Sequence, residues 1–245
     1  MPITTEIVVF NIESAMNAQK GGADRVELCD NPAEGGTTPS FGVMEIVRQA
    51  VSMDVYAMIR PRGGDFVYTA YEYHAMKRDI EMCKRASMDG VVLGILKPDG
   101  TLDKDRCKKL IDAARPMKVT CHRAFDVTRD PFEALEDCIE VGFDRILTSG
   151  QAQTAPEGLD LIKELVAKAG NRISIMPGSG IHEGNARKII DFTGAKEIHF
   201  SAKEFHPSDY NSSIRFTDSL PEQMGKFVTD PEKVRAVVEA LKDKF

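Results

Sequence analysis

Short apolar, β-branched runs alternate along this chain with longer stretches in which apolar residues recur at helical spacing. Such alternation is typical of βα units built on a parallel sheet. The pattern predicts eight strands, each followed by polar or glycine-rich residues and then by a helix. The predicted strands are Glu6–Phe10, Arg25–Cys29, Val55–Arg60, Val91–Leu96, Val119–Arg123, Arg145–Ser149, Ile173–Pro177 and Glu197–Ser201.

A weak internal repeat marks the entry into every second strand. Its four copies begin Gly22-Ala23-Asp24, Ser87-Met88-Asp89, Gly142-Phe143-Asp144 and Gly194-Ala195-Lys196. Four βαβα units in unbroken rhythm fit a closed barrel better than an open doubly wound sheet, in which the strand order reverses. The sequence therefore predicts an α/β protein of the (β/α)₈ TIM-barrel class, with residues 1–245 forming a single domain.

One segment departs from this rhythm. Residues 204–229 are rich in proline, glycine, serine and asparagine, and we predict that they form a long polar connection after the eighth strand. A C-terminal helix is expected over residues 230–242. Polar connections of this length are usually functional or disordered. Nothing in the segment indicates a linker between domains.

Composition and charge narrow the classes of function. Acidic residues number 38 and basic residues 32, so the net charge is −6, and no basic run could follow a phosphate backbone. Nucleic acid is therefore not an expected partner. No apolar run approaches the roughly 20 residues of a membrane helix, and the N-terminus lacks the pattern of a signal peptide. We expect a cytoplasmic protein that does not bind membranes, whose five cysteines, without C-x-x-C spacing, are reduced thiols.

The charged residues of the strands indicate which side chains face the barrel lumen. Alternate strand residues point inward, whereas an unpaired charge on the other face would be buried under the helices at a large cost. By this rule Glu27 brings Cys29 inward, Arg60 brings Met58 inward, and His122 also faces the lumen. These positions lie near the C-terminal ends of the strands, where barrel enzymes place their active sites. The polar set at this end comprises Glu27, Cys29, Arg60, Arg62, His122, Arg123, Asp126, Ser149, His199 and Ser201.

Several of these residues allow both a structural and a functional interpretation. Glu27 and Arg60 could form a buried ion pair that only fills the lumen. His122 could be a structural histidine, a general base, or a ligand to a hard divalent ion together with Glu27 and His199. Asp126 could orient the imidazole or cap the helix that begins near Asp130–Pro131. The sequence leaves these alternatives open.

Two glycine-containing loops are candidates for anion binding. Gly178–Gly180 follows the seventh strand, where barrels often hold phosphate, and a helix N-terminus is predicted near Glu183. A tight structural turn would explain the same glycines. Arg60–Gly64 offers two guanidinium groups suited to a carboxylate or phosphate. The alternative is a loop pinned to neighbouring acids such as Glu27 or Asp30.

Five motifs occur in fixed order along the chain. They are Glu27-Leu28-Cys29, Glu34-Gly35-Gly36-Thr37-Thr38-Pro39-Ser40, Met58-Ile59-Arg60-Pro61-Arg62-Gly63-Gly64-Asp65-Phe66, Cys121-His122-Arg123-Ala124-Phe125-Asp126 and Leu147-Thr148-Ser149-Gly150. Together with Met176–Gly180 and Phe200–Lys203 they make nearly the whole barrel similar to the copper homeostasis protein CutC family. This resemblance implies a cytoplasmic (β/α)₈ barrel, often a homo-oligomer, that serves copper homeostasis and binds Cu(I).

The resemblance points to Cys29 as the copper ligand, because Cu(I) is a soft ion that prefers thiolate and thioether sulfur. Family members can also use a cysteine in the first strand, but here that strand has the sequence Glu6-Ile7-Val8-Val9-Phe10. Met58 could supply a second sulfur because it shares the lumen face. Cys121 is offset by one residue from inward-facing His122 and is expected to lie under the helices.

Two functions follow from these observations. The first is Cu(I) binding or trafficking with Cys29 and Met58 as ligands. The second is an enzyme acting on a small anionic metabolite at the C-terminal rim of the barrel, and the sequence leaves open whether any reaction is catalysed. In the second function, Glu27, His122 and Asp126 would handle protons, and Arg60, Arg62, Arg123, Gly178, Ser179, Gly180 and Ser201 would hold the anion. A barrel whose interior ion pairs only support folding is the remaining alternative.

Overall fold

The computed structural model of the protein describes residues 3–208 and 225–242. Eight parallel strands form one sheet in the order β7-β6-β5-β4-β3-β2-β1-β8, and a parallel bridge from Gly178 to His199 joins its two edges. The sheet is thus nearly closed into a barrel, and the predicted (β/α)₈ class is confirmed. The strands are β1 Thr4–Val9, β2 Arg25–Leu28, β3 Asp54–Met58, β4 Gly90–Leu93, β5 Lys118–Cys121, β6 Arg145–Thr148, β7 Ser174–Pro177 and β8 Glu197–Phe200.

Helices surround the barrel in the described part of the chain. Capping residues set where several of them begin: the Asn11 side chain accepts the Ser14 N–H, Thr69 and Glu72 form a capping box, and Asp130 accepts two N–H groups. The helices are α1 Ile12–Gly21, α2 Phe41–Ala50, α3 Ala70–Arg85, α4 Lys104–Ala114, α5 Pro131–Val141, α6 Leu159–Ala169, α7 Ala186–Thr193 and α8 Pro231–Leu241. None of them combines the length and apolar character needed to cross a bilayer.

The main hydrophobic core lies between the outer face of the sheet and the helices. Cys121 on β5 belongs to this core together with the helical residues Cys83, Cys107 and Cys138. Cys29 instead belongs to a small separate cluster inside the barrel. All five cysteines are free and buried. The predicted division between one lumen thiol and a Cys121 under the helices is therefore confirmed.

Most of the strands end one to three residues earlier than the hydrophobic pattern predicts. The third strand ends at Met58, which places Arg60 in the following loop. The fifth ends at Cys121, because His122 already caps a 3-10 turn over Arg123–Val127. Arg60 and the residues of the 3-10 turn are therefore oriented by loop conformation and not by strand alternation.

Two strands lie at the ends of the segment over residues 204–229. Strands β9 Lys203–Pro207 and β10 Gly225–Thr229 pair in antiparallel fashion. The side chains of Asn11 and Asn17 donate hydrogen bonds to backbone carbonyls of β10 and fix this hairpin against α1. Residues 209–224 of the predicted polar connection lie outside the described residues.

Candidate functional site

A network of buried charges fills the middle of the lumen. The carboxylate of Glu6, which has no exposed surface, accepts a hydrogen bond from Arg25 Nε and lies 2.8 Å from His199 Nδ1. Arg25 also donates to Glu197 at 2.5 Å, and Glu197 pairs with Arg145 at 2.6 Å. The polar set predicted for the lumen did not include Glu6, Arg25, Arg145 or Glu197. The signal was nevertheless present, because each is a charged residue on a strand, with the same alternation that placed Glu27 inward.

Tyr56 covers this network from β3. Its ring centroid lies 4.9 Å from the guanidinium carbon of Arg25 and 5.3 Å from that of Arg145, so two cations interact with one π system. The ring has room because its partner on β4 is Gly90, where a Cβ would stand 2.6 Å from ring atoms. A side chain at position 90 would push Tyr56 away from both cations.

Glu27 lies next to His199 and points into the lumen. Its Oε2 is 3.7 Å from His199 Nε2, while its buried Oε1 has no hydrogen-bond partner among the described residues. Burial raises the pKa of Glu27 to about 7, against the opposing charge of His199. For Glu6 the balance is reversed: burial acts upward, but Arg25 and His199 lower its pKa to about 2. The His199 imidazole therefore lies between the ionised carboxylate of Glu6 and the carboxyl of Glu27, which readily holds a proton.

Arg60 does not pair with Glu27 within the described residues, so the interpretation of these two residues as a buried ion pair is wrong. Its terminal nitrogens donate to backbone carbonyls of Glu34 at 2.6 Å, Gly36 at 3.0 Å and Gly64 at 2.7 Å. The side chain is 5% exposed and forms no ion pair within the described residues. Arg60 therefore joins the Glu34–Gly36 turn to its own loop through carbonyl groups, which sequence patterns do not reveal.

Arg62 is held by acids other than those expected. Its Nε lies 2.6 Å from Glu72, and its Nη2 lies 3.0 Å from Asp65, rather than from Glu27 or Asp30. The loop is therefore held by acidic residues, as one alternative expected, but these residues are Glu72 and Asp65 and not Glu27 or Asp30. These contacts stabilise the loop and the start of α3, and they occupy the guanidinium group.

The two candidate sulfur ligands meet at the mouth of the lumen. Cys29 and Met58 are 2% and 4% exposed and form one cluster with Tyr56 and Val92, against which Val8 and Phe10 pack. The turn at Gly36 closes this cluster. A Cβ at position 36 would stand 3.1 Å from Cys29 Sγ and 3.6 Å from Met58 Cε, and the φ angle of 100° also favours glycine.

Apolar side chains pack around these sulfurs, and the Glu27 carboxylate is a charged neighbour of Cys29. Val8, from the first strand, packs against the cluster, so that strand contributes no second thiol. Burial and the neighbouring carboxylate of Glu27 raise the pKa of the Cys29 thiol well above its usual range. Within residues 3–208 and 225–242, no group of three or more His, Cys, Asp or Glu side chains is placed to hold a metal ion. The suggested hard-ion site on Glu27, His122 and His199 is therefore not formed.

His122 is a buried neutral histidine. Its Nδ1 accepts the Ala124 N–H at 3.1 Å, and its ring lies 4.8 Å from the ring of Phe66. Burial, assisted by the charge of Arg60, lowers the pKa of His122 to about 3. Its Nε2 has no hydrogen-bond partner among the described residues. The histidine is thus suited to donating a hydrogen bond and unsuited to accepting a proton near neutral pH.

Asp126 neither orients His122 nor caps α5. Its carboxylate accepts hydrogen bonds from Arg123 Nε at 2.7 Å and from the Ser149 N–H at 3.0 Å, and Thr148 also donates to it. Asp130 caps α5 instead. Both expectations for Asp126 are wrong because the 3-10 turn rotates its side chain toward the end of β6. Arg123 also donates to Ser149 Oγ at 2.7 Å, so this group organises the loop after β6.

The loop after β7 is a tight turn packed against the preceding loop. The Ser179 hydroxyl donates to the Gln153 carbonyl at 2.9 Å, and the Ser179 backbone carbonyl accepts the Ala155 N–H at 3.0 Å. Ser179 and Gly180 have positive φ angles of 80° and 71°. Helix α7 begins at Ala186 rather than near Glu183, because the turn over residues 182–185 precedes it. The helix N-terminus therefore does not follow directly on Gly178–Gly180. Ser201 lies one residue beyond β8 and is half-buried.

A family model and two similar proteins point to the same family. The model of the CutC family matches residues 3–204. The copper homeostasis protein cutC homolog of Homo sapiens is 48% identical and covers 95% of this chain and 86% of its own. A family protein CutC of Parabacteroides distasonis is 49% identical over 95% of this chain and 98% of that relative.

One solved structure supports the same family, and a second shares only the fold. The copper homeostasis protein CutC of Streptococcus agalactiae has a TM-score of 0.78 at 37% identity, covering 81% of this chain and 98% of that chain. Thiamine phosphate pyrophosphorylase of Pyrococcus furiosus has a TM-score of 0.61 at 14% identity, which shows a shared fold alone. The fold, the motifs and the relatives lead to one conclusion: the chain belongs to the CutC family.

Proposed function

We propose that this protein serves copper homeostasis by binding Cu(I) between the Cys29 thiolate and the Met58 thioether. One observation carries the proposal: the two sulfur-bearing side chains flank the same point beneath Gly36, inside the barrel mouth. The names of the curated relatives support the role in copper homeostasis.

The donor set fits Cu(I) better than a harder ion. Thiolate and thioether are the ligands that a soft ion selects, whereas hard ions need oxygen ligands. The side chains of Val8, Phe10 and Val92 around the sulfurs offer only carbon atoms, and the one carboxylate beside Cys29 that the described residues show, Glu27, has a pKa that burial raises to about 7. Because the three apolar side chains also exclude water, they would protect a bound Cu(I) from oxidation and exchange.

Binding requires the Cys29 thiol to lose its proton, because the thiolate is the metal ligand. The high pKa of the buried thiol makes this loss unfavourable for the free protein. Copper and the proton therefore compete for the same sulfur. We expect the apparent affinity for Cu(I) to rise with pH, as long as the Cys29 proton is released on binding.

We also propose that the protein acts in the cytoplasm and that copies of the chain associate with one another. Five free cysteines suit a reducing compartment, in which thiols stay available to Cu(I). Light scattering coupled to size-exclusion chromatography tests self-association, and a mass equal to that of one chain would remove it from the proposal.

A competition titration tests copper binding. The purified protein, kept under reducing conditions, is titrated with Cu(I) against a chromophoric chelator. The unmodified protein should take up one equivalent, Cys29→Ser should take up none at the same chelator concentration, and Met58→Leu should bind more weakly. Cys83→Ser is the matched control, because Cys83 lies in the core under the helices and should leave uptake unchanged. Unchanged uptake by Cys29→Ser would reject the proposal.

A further inference from the structure

Two buried hydrogen-bond donors without partners among the described residues both lie next to the ring of Phe66. The ring centroid of Phe66 lies 4.9 Å from the guanidinium carbon of Arg60 and 4.8 Å from the ring of His122. Arg60 Nε and His122 Nε2 are both buried and have no partner among the described residues. Since an unpaired buried polar atom destabilises the folded protein, two of them against one ring need an explanation.

The tautomer of His122 follows from its other nitrogen. Nδ1 accepts the backbone N–H of Ala124, so it carries no hydrogen. A neutral imidazole has its single hydrogen on the other nitrogen, which here is Nε2. His122 therefore presents an N–H, not a lone pair, on the side where it has no partner.

The charge of Arg60 is also incompletely compensated. Its terminal nitrogens are satisfied by three backbone carbonyls, which supply dipoles but no negative charge. The Tyr68 hydroxyl, which also lacks a partner among the described residues, lies beside this guanidinium: burial raises the pKa of Tyr68 to about 12, and Arg60 acts against that rise. A buried cation without an anion is costly, and an anionic ligand would remove the cost.

We propose that Arg60 and His122 form a binding site for the carboxylate group of a small molecule. A carboxylate has one negative charge and two acceptor oxygens, which match one guanidinium charge and two N–H donors. Phe66 is only half-buried, whereas the two donors are almost inaccessible. The ligand therefore enters when the Phe66 ring swings aside, and the ring covers it afterwards.

This site is separate from the sulfur pair at Cys29 and Met58. Arg60 reaches the Gly36 carbonyl, on the same turn that closes the sulfur cluster, so the two sites are neighbours but share no ligand atom. The carboxylate site does not depend on copper binding. Failure of one proposal therefore leaves the other standing.

The test uses the full-length, metal-free protein with ¹⁵N-labelled histidine. Acetate is titrated at constant ionic strength, with chloride as the balancing anion and phosphate in a parallel series. We expect a saturable shift of the His122 Nε2 resonance with acetate and a matching rise in melting temperature. His122→Phe keeps a ring against Phe66 but removes the donor, and it should bind acetate roughly tenfold more weakly.

Three further variants make the result decisive. His74→Phe, at an exposed position on α3, and Cys29→Ser should both bind acetate as the unmodified protein does. Phe66→Ala removes the cover, retains both donors and should speed acetate exchange, so this variant tests the site even if His122→Phe does not fold. An absence of any saturable acetate effect would show that the donors only trap water, and a response to phosphate alone would show that the ligand class is wrong. Either result would overturn the proposal.

Discussion

Replacing Glu6 by glutamine should weaken the whole lumen network, because this carboxylate connects two of its members. Glu6 is completely buried, accepts the Nε hydrogen of Arg25 and contacts His199 Nδ1 at 2.8 Å. Glutamine has nearly the same shape, so the change removes a charge without creating a cavity. Among the residues that the structure describes, Arg25 would then keep only Glu197 as an acidic ion-pair partner.

The expected loss follows from the burial of the pair. Breaking a buried ion pair by removing one partner costs about 3–5 kcal/mol, because the other charge is left without compensation. Arg25 retains one carboxylate and the Tyr56 ring, which places the loss for Glu6→Gln at the lower end, about 3 kcal/mol. A loss of this size is a large part of the stability of an ordinary domain.

Urea unfolding at neutral pH, followed by circular dichroism, measures this loss. Glu13→Gln is the matched control, because Glu13 also pairs with one cation, Lys226, but at an exposed position. The control should change the free energy of unfolding far less, since water screens surface pairs. A loss below about 1 kcal/mol for Glu6→Gln would refute the inference that the buried network stabilises the barrel.

Three other changes test separate parts of the structure. The pKa of Glu27 is about 7 in the folded protein and near 4.5 in the unfolded chain. The folded state is therefore favoured by the protonated Glu27 below pH 4.5, and this stabilisation is lost as the pH rises toward 7. Between pH 4.5 and pH 7 the free energy of unfolding of the unmodified protein should therefore fall by up to about 3 kcal/mol relative to that of Glu27→Gln, which keeps Glu6, His199 and Cys29. Parallel pH profiles of urea unfolding for the two proteins would contradict this. Gly36→Ala should lower the free energy of unfolding by about 1–3 kcal/mol and abolish Cu(I) uptake, because the new Cβ would stand 3.1 Å from Cys29 Sγ. Gly35→Ala, at a φ of 77° but away from the sulfurs, should also lower stability but keep Cu(I) uptake. Equal uptake by both variants would contradict the role of the Gly36 turn in closing the sulfur cluster. Asp126→Asn should lower the free energy of unfolding by about 2 kcal/mol in urea denaturation, because the charge-assisted bond from Arg123 is lost, and an unchanged midpoint would contradict its role.

The fold could be predicted because its signal repeats along the chain. Eight apolar strand segments separated by helical stretches leave few architectures, and the repeated entry phrase favours the closed one. Strand alternation also placed Glu27, Cys29 and Met58 inside the barrel. The same rule applied to Arg25 and Glu197 would have predicted the charged network, although their pairing depends on the register between strands, which no local pattern contains.

Side chains beyond the strand ends could not be placed in this way. Arg60 lies two residues past β3, where the loop conformation decides its direction, and its partners are backbone carbonyls that carry no sequence signature. Asp126 lies in a 3-10 turn that directs it to Ser149 instead of His122. The structural and functional alternatives for Arg60 and Asp126 depend on contacts between loops that are far apart in sequence, and only the three-dimensional structure shows these contacts.

The copper site itself can be observed by anomalous diffraction at the copper absorption edge. Crystals of the full chain, grown under reducing conditions and loaded with Cu(I), should show an anomalous peak between Cys29 Sγ and the thioether sulfur of Met58, beneath Gly36. The peak should disappear from crystals of Cys29→Ser. A copper peak at any other cysteine or histidine, or a persistent peak in that variant, would contradict the proposed site.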